Sequence, residues 1–208
     1  MFVKICGITR MQDAESAVEA GANAIGFVFW PRSPRFIDPY RARAIVAALP
    51  AFVTPVGLFV NQPAEYVNGV ASLVRLGAVQ LHGDETPADA ARIRRPIVRA
   101  IGLAGPVDVD QWAPRITLLL DAHDPGKRGG TGRTVDWQAA ARIASMRRTI
   151  LAGGLTPDNV ADAIGRVRPF GVDVSSGVEQ APGIKDRAKI RALFESIHGI
   201  TNHVAPRS

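Results

Sequence analysis

The stretch FVKICGITRMQDAESAVEAGANAIGFVF, residues 2–29, combines a strand, a helix and a second strand. Residues 2–6 and 24–29 are short apolar runs typical of buried strands, and residues 11–20 have the spacing of an amphipathic helix. Gly21 follows the helix, where helices commonly end. A helix between two such strands predicts a βαβ unit with parallel strands.

This alternation continues to the other end of the chain. We predict eight strands, over residues 2–6, 24–29, 54–60, 78–81, 97–101, 116–121, 149–152 and 171–174. We predict helices over residues 11–20, 39–48, 63–76, 87–94, 136–144, 157–164 and 185–197. Eight units favour an α/β fold of the (β/α)8 TIM-barrel type, a single domain over residues 1–200, although a doubly wound open sheet has the same alternation. Residues 201–208 are predicted to form a flexible tail.

Composition limits the class of protein. The chain has 208 residues, 47% hydrophobic and 21% charged, as in a soluble globular domain. No signal-peptide pattern follows Met1 and the apolar runs are too short to span a bilayer, so we expect no membrane association. A single cysteine fits a reducing compartment, and we expect a cytoplasmic protein.

The net charge of +6 raises nucleic acid as a partner. The basic residues are scattered, however, and form no stripe interleaved with aromatic side chains. We therefore expect no nucleic-acid partner, whereas the positive charge favours an anionic small-molecule substrate.

Cys6 is the only cysteine, so it forms no intramolecular disulfide, and nothing near it in the sequence offers the additional ligands of a metal site. It is either a small buried apolar side chain or a reactive thiol. Its place at the carboxyl end of the first strand favours the second interpretation, because parallel α/β folds have their active sites there. Lys4 shares the same strand face and is expected to favour the thiolate.

Other polar residues end or follow later strands. They are Arg32, Arg35, His82, Asp121, Asp173, Ser175 and Ser176. Asp121 ends an apolar run, where a carboxylate is costly unless it emerges at a polar mouth, although it could also cap a helix. A thiol and a carboxylate facing each other across a barrel mouth predict proton transfer. Arg35 suits a substrate carboxylate unless it is a surface arginine, and His82 is either a donor to substrate or a loop histidine.

Two glycine-rich turns indicate a phosphate site. Residues 152–155 (AGGL) follow the seventh strand and residues 175–178 (SSGV) follow the eighth, where barrels often bind phosphate. A third glycine-rich stretch, residues 126–133, lengthens the loop after the sixth strand and is typical of a lid or a disordered segment. It lacks P-loop spacing, and no G-x-G-x-x-G follows the first strand, so no nucleotide cofactor is indicated.

Taken together and in order, the motifs resemble the phosphoribosylanthranilate isomerase family of tryptophan biosynthesis. They are KICGIT (4–9), GFVF (26–29), SPR (33–35), QLHG (80–83), LD (120–121), GGTG (129–132), DW (136–137), LAGGL (151–155), NV (159–160), DVSSGVE (173–179) and GIKD (183–186). The resemblance spans nearly the whole chain. It implies a (β/α)8 barrel that performs an Amadori rearrangement of N-(5′-phosphoribosyl)anthranilate without cofactor or metal.

The resemblance also implies roles for individual residues. Asp121 is the general acid that opens the ribose ring, Cys6 is the base that takes the C2 proton, and Arg35 holds the anthranilate carboxylate. His82 and Asp173 lie near the substrate, with Asp173 an alternative acid. Phosphate is bound by a set of backbone groups at Gly153, Gly154, Ser176 and Gly177.

Two alternative functions and one question about partners stay open in the sequence. The chain could be another phosphosugar isomerase or epimerase, or a phosphate-binding barrel without catalysis. An association with other enzymes of tryptophan biosynthesis is also open.

Overall fold

The computed structural model describes residues 1–103, 108–121 and 136–203. The glycine-rich stretch 126–133, expected to be a lid or a disordered segment, lies outside the described residues. Of the expected tail, residues 201–203 continue the last helix, and residues 204–208 lie outside the described residues.

Eight parallel strands close into a barrel in chain order, with the eighth strand beside the first. They are β1 (Phe2–Ile5), β2 (Ala24–Val28), β3 (Thr54–Phe59), β4 (Ala78–Leu81), β5 (Ile97–Gly102), β6 (Thr117–Asp121), β7 (Thr149–Leu151) and β8 (Gly171–Val174). The predicted (β/α)8 barrel is confirmed, and each predicted strand boundary lies within one residue of the observed one.

Helices follow most of the strands. They are α1 (Met11–Ala20), α2 (Pro39–Ala48), α3 (Ala64–Val74), α4 (Pro87–Ala91), α5 (Trp137–Met146), α6 (Val160–Val167) and α7 (Arg187–His203). Helix α2 begins as its sequence predicts, because the Asp38 carboxylate accepts hydrogen bonds from the amides of Tyr40 and Arg41. No helix in the described part of the chain is long and apolar enough to cross a membrane.

Helix α6 begins three residues later than predicted, at Val160 instead of residue 157. The reason is a turn held by Asn159, whose Oδ1 accepts from the Thr156 amide at 2.8 Å and whose Nδ2 donates to the Gly154 carbonyl at 2.9 Å. These side-chain bonds offer the backbone an alternative to the helical pattern. The same bonds fix the glycine turn that follows β7.

Strand alternation divides the apolar side chains into two layers. Ala100, Leu119, Ile150 and Ala152 form a cluster inside the barrel, with Phe2 and Val98 packed against it. Leu118 and Leu120 belong instead to the larger cluster between barrel and helices. Because side chains alternate along a strand, residues two positions beyond an interior residue also point inward. Because all eight strands are parallel, the inward-facing side chains at their carboxyl ends meet at one mouth of the barrel.

The sequence did not predict a short antiparallel hairpin after the barrel closes. A 3-10 turn at Ser176–Val178 leads into β9 (Glu179–Ala181), which pairs with β10 (Ile184–Lys185). Both strands are too short to produce an alternating pattern that a sequence reading can recognise. The hairpin matters because it places Glu179 and Lys185 beside the mouth residues described below.

Candidate active site

Phe2 packs against the cluster inside the barrel, and Lys4 and Cys6 follow it at intervals of two residues, so they point inward as well. Lys4 Nζ donates to Asp173 Oδ2 at 2.8 Å, and both side chains are at least nine-tenths buried. The Cys6 amide continues the β1–β8 ladder by donating to the Val174 carbonyl at 2.9 Å. The structure therefore brings Cys6, Lys4 and Asp173 together on the neighbouring strands β1 and β8.

The electrostatics of the thiol differ in part from the expectation. Lys4 lowers the pKa of Cys6, as predicted, but burial has the larger effect and Asp173 adds to it, so the pKa of the thiol is raised above its usual value. Burial also opposes the charge on Lys4, yet Asp173 and Cys6 outweigh it and the pKa of Lys4 is raised. The thiol is therefore protonated in the free protein at neutral pH.

On the opposite side of the mouth, Asp121 faces His82. Asp121 points inward because it lies two residues beyond Leu119, and its Oδ2 is 3.4 Å from His82 Nε2. Both residues are buried. The structure therefore joins a predicted catalytic residue with a predicted substrate-binding residue that the sequence could not pair.

Gln80 also belongs to this group, although the sequence did not indicate a role for it. Its Nε2 lies 3.0 Å from His82 Nδ1. With the amide nitrogen as donor, Nδ1 is the acceptor and the ring proton is on Nε2, which faces Asp121. The available signal was parity: Gln80 is a polar residue in the middle of a buried strand, two positions before His82.

Arg35 reaches the mouth from the loop after β2 and passes directly over Gly7. A Cβ on Gly7 would lie 2.6 Å from Arg35 Cδ, and Gly7 has a φ of +75°. Any other residue would be strained and would displace the arginine. In the structure Arg35 pairs with the carboxylate of Glu179: Nε donates to Oε1 at 2.9 Å and Nη2 donates to Oε2 at 2.7 Å. Its expected contact with a substrate carboxylate stays a prediction.

The two predicted phosphate turns also lie together. Gly153 and Gly154 have φ values of +81° and +65°, so the turn after β7 uses left-handed backbone. Gly177, in the turn after β8, packs against the carbonyl of Leu155, where a side chain would collide. Ser176 precedes it in the 3-10 turn. Within residues 1–103, 108–121 and 136–203, no three His, Cys, Asp or Glu side chains are placed to hold a metal ion together.

The closed barrel and the gathering of these groups at the carboxyl ends of its strands define a class, the TIM-barrel enzymes. The family model described as N-(5′-phosphoribosyl)anthranilate (PRA) isomerase matches residues 3–196. The chain belongs to this family.

Individual relatives agree with this assignment. The N-(5′-phosphoribosyl)anthranilate isomerase of Geotalea uraniireducens is 49% identical over 200 residues, covering 95% of this chain and 98% of the relative. The crystal structure of phosphoribosyl anthranilate isomerase from Thermotoga maritima has 44% identity and a TM-score of 0.88, covering 96% of this chain and 99% of that one. A structure in complex with reduced 1-(o-carboxyphenylamino)-1-deoxyribulose 5-phosphate has 42% identity and a TM-score of 0.83, covering 96% and 99%.

Proposed function

We propose that this chain converts N-(5′-phosphoribosyl)anthranilate into 1-(o-carboxyphenylamino)-1-deoxyribulose 5-phosphate, a step of tryptophan biosynthesis. The observation that carries the proposal is the family match over residues 3–196 together with an inward-facing thiol and an inward-facing carboxylate at one barrel mouth. A solved relative binds the reduced form of this product. The reaction moves protons within a single substrate, and the mouth holds groups suited to that chemistry.

In the proposed mechanism, Asp121 donates a proton to the ribose ring oxygen and the C1–O bond breaks, giving an open-chain Schiff base. Cys6 then removes the proton from C2, which leaves an enolamine. C1 gains a proton as the C2 hydroxyl becomes the ketone. The His82 ring, whose Nε2 lies 3.4 Å from Asp121 Oδ2, is placed to orient the carboxyl group beside the ring oxygen.

The contacts favour Asp121 over Asp173 as the acid. Asp173 Oδ2 forms a buried ion pair with the Lys4 ammonium at 2.8 Å, and protonating that carboxylate would break the pair, whereas Asp121 lies beside the imidazole of His82. Asp173 Oδ1 is buried and has no hydrogen-bond partner within the described part of the chain, so it is placed to accept from a substrate hydroxyl. Asp173 is therefore proposed as a substrate-binding residue.

The phosphate and the anthranilate carboxylate of the substrate are assigned to two different parts of the mouth. We assign the phosphate to the backbone at Gly153, Gly154, Ser176 and Gly177, whose turns approach each other closely. Arg35 binds the anthranilate carboxylate. A cytoplasmic location and an association with other enzymes of the pathway stay predictions.

The raised pKa of Cys6 has a consequence for the mechanism. A thiol that is protonated in the free protein has to lose its proton before it can act as a base. Lys4 is the cation that favours this loss, and a thiolate of raised pKa is also a stronger base once formed. We therefore expect kcat/KM to rise with pH on the alkaline side of neutrality.

The direct test is the loss of fluorescence of freshly generated phosphoribosylanthranilate, with excess indole-glycerol-phosphate synthase to remove the product. We expect turnover in the wild type and a fall of about 10²–10⁴-fold in both Cys6→Ala and Asp121→Asn, the usual contribution of a general acid or base. Asp162→Asn, at an exposed helical position, is the matched control. Turnover that survives Asp121→Asn would transfer the acid role to another residue, and an inactive wild type would contradict the proposed function.

A further inference from the structure

Three charged side chains form a buried chain at the edge of the mouth. Glu179 accepts from Arg35 through both carboxylate oxygens, at 2.9 and 2.7 Å, and Lys185 Nζ donates to Glu179 Oε1 at 2.8 Å. The side chains of Arg35, Glu179 and Lys185 are 15%, 5% and 1% exposed. Charges this deeply buried are costly, so their arrangement requires an explanation.

We propose that Glu179 is a positioning residue for substrate selection: it fixes the guanidinium of Arg35 so that one defined edge faces the carboxylate of the substrate. This inference rests on the proposed function, in which Arg35 binds that carboxylate. It concerns a different question, namely what holds the arginine in place before the substrate arrives.

The hydrogen-bond geometry identifies the edge. A guanidinium presents its donors in a planar fork, and the edge formed by Nε and Nη2 is occupied by Glu179. Within the described part of the chain, the Arg35 side chain makes its hydrogen bonds through Nε and Nη2, and Nη1 makes none. The edge formed by Nη1 and Nη2 is thus available for a second bidentate carboxylate.

Lys185 explains how a carboxylate can hold the arginine without abolishing its attraction for anions. An Arg–Glu pair alone is neutral, whereas Arg35, Glu179 and a protonated Lys185 together carry a net charge of about +1. Burial lowers the pKa of Lys185, and the Glu179 carboxylate opposes this effect. Burial opposes the charge on Glu179, but Arg35 and Lys185 outweigh it, and the pKa of Glu179 is lowered. The carboxylate is therefore ionised under working conditions.

Backbone anchors make the arrangement rigid. Lys185 Nζ also donates to the Ser175 carbonyl at 3.1 Å, and Ser175 Oγ donates to the Cys6 carbonyl at 3.1 Å. The Lys185 amide donates to Asp13 Oδ2 at 3.1 Å. The hairpin that carries Glu179 is thereby tied to the strand end that carries the thiol, so Arg35 is fixed relative to the reacting centre.

The experiment compares two ligands that differ only in the carboxylate. One is reduced 1-(o-carboxyphenylamino)-1-deoxyribulose 5-phosphate and the other is its phenylamino counterpart without the carboxylate. Inhibition constants for both are measured with wild type, Arg35→Met, Glu179→Gln and the control Glu19→Gln, which removes an exposed ion pair with Arg187. The readout is the ratio of the two constants, which a general loss of stability does not change.

We expect the wild type and Glu19→Gln to bind the carboxylate ligand at least about 30-fold more tightly than its counterpart, as for one lost bidentate ion pair of about 2 kcal/mol. Arg35→Met should abolish this preference. Glu179→Gln, in which Arg35 is still present, should reduce the preference for the carboxylate ligand about tenfold. Glu179→Asp should restore part of that preference. If Glu179→Gln does not fold, the double variant Glu179→Gln/Lys185→Met removes both buried charges and is measured in its place.

The outcomes separate the two proposals. A wild-type preference that Arg35→Met abolishes and Glu179→Gln leaves intact overturns the role of Glu179 and leaves the proposed function standing. A wild type that turns over substrate but shows no preference overturns the carboxylate role of Arg35 and this inference with it. A wild type without turnover contradicts the proposed function itself.

Discussion

Two buried Arg–Glu pairs with the same N···O distance lie in different parts of the barrel. Arg35 and Glu179 meet at 2.7 Å at the mouth, and Arg99 and Glu85 meet at 2.7 Å beneath the loop that follows β4. Their side chains are similarly buried. The pairs differ in what else binds the guanidinium.

Both terminal nitrogens of Arg99 are occupied. Nη1 donates to Glu85 and to the Leu81 carbonyl, and Nη2 donates to the Gly83 carbonyl at 3.0 Å. The guanidinium carbon lies 4.9 Å from the centre of the Trp112 ring. Arg35, in contrast, retains an edge that no described residue occupies. Arg99 also keeps one donor without a partner, its buried Nε. The comparison therefore shows that burial, ion pairing and a spare donor do not make an arginine a candidate binding group unless the spare donors lie at the mouth.

Strand parity gives the reason for the difference. Arg99 lies between Val98 and Ala100, which pack inside the barrel, so its side chain points outward to the loops and helices. There its charge ties the β4 loop, which contains His82 and Gly83, to β5. Arg35 lies on a loop at the mouth, where a donor can meet a ligand. We interpret Arg99 as structural and Arg35 as ligand-binding.

The largest expected effect is on stability. Arg99→Met leaves Glu85 without a cation and should lower the free energy of unfolding by about 3–5 kcal/mol. Arg35→Met should cost about 1–3 kcal/mol, because Lys185 still pairs with Glu179. Urea unfolding of both variants measures the difference. Equal losses would remove the distinction between the two pairs.

The next effect is on the pKa of Cys6, which lies beside a third buried ion pair, Lys4 and Asp173. Lys4→Met should raise the pKa of Cys6 further, and Asp173→Asn should lower it, because the two groups act on the thiol with opposite signs. Alkylation rate against pH reports on Cys6 alone, since the chain has no other cysteine. Shifts in the same direction for both variants would contradict this account.

A smaller effect follows from the lowered pKa of Glu179. A carboxyl whose pKa is lower in the folded than in the unfolded chain stabilises the fold above the unfolded value of about 4.3, and this contribution disappears as pH falls through the folded value. The stability gap between wild type and Glu179→Gln should therefore narrow as pH decreases from 7 to about 3. Unfolding curves across this range test it, and a constant gap would show that the carboxyl is not shifted.

The smallest effect is expected at an exposed pair. Arg187 and Glu19 meet at 2.8 Å, but their side chains are 66% and 63% exposed. Glu19→Gln should change the free energy of unfolding by less than about 1 kcal/mol, because water and salt screen such pairs. A loss as large as that of Arg99→Met would mean that burial does not determine the strength of these pairs.

Much of the fold was predictable because local signals were strong. Short apolar runs that alternate with amphipathic helical segments located all eight strands. Glycine-rich turns identified the loops after β7 and β8. The hairpin at 179–185 was missed because strands of two and three residues carry no period. The start of α6 was wrong because the side chain of Asn159 competes with the helix.

The candidate site was predictable only in part, for a similar reason. Cys6, Asp121 and Asp173 could be chosen as candidates because strand ends converge in a parallel barrel. Gln80 was missed because its signal, a polar residue two positions before His82 in a buried strand, does not show that the two side chains contact each other.

The sequence by itself determined the strands, their parallel order, the family, and the residue types available at the mouth, because these depend on local patterns and on motifs in fixed order. Only the tertiary structure decided which charges meet: Lys4 with Asp173, His82 with Asp121, and Arg35 with Glu179. These partners are 39 to 169 residues apart. Pairing at such separations depends on barrel closure and side-chain direction, and the resulting distances and burial set the charge and hydrogen-bonding capacity of each group.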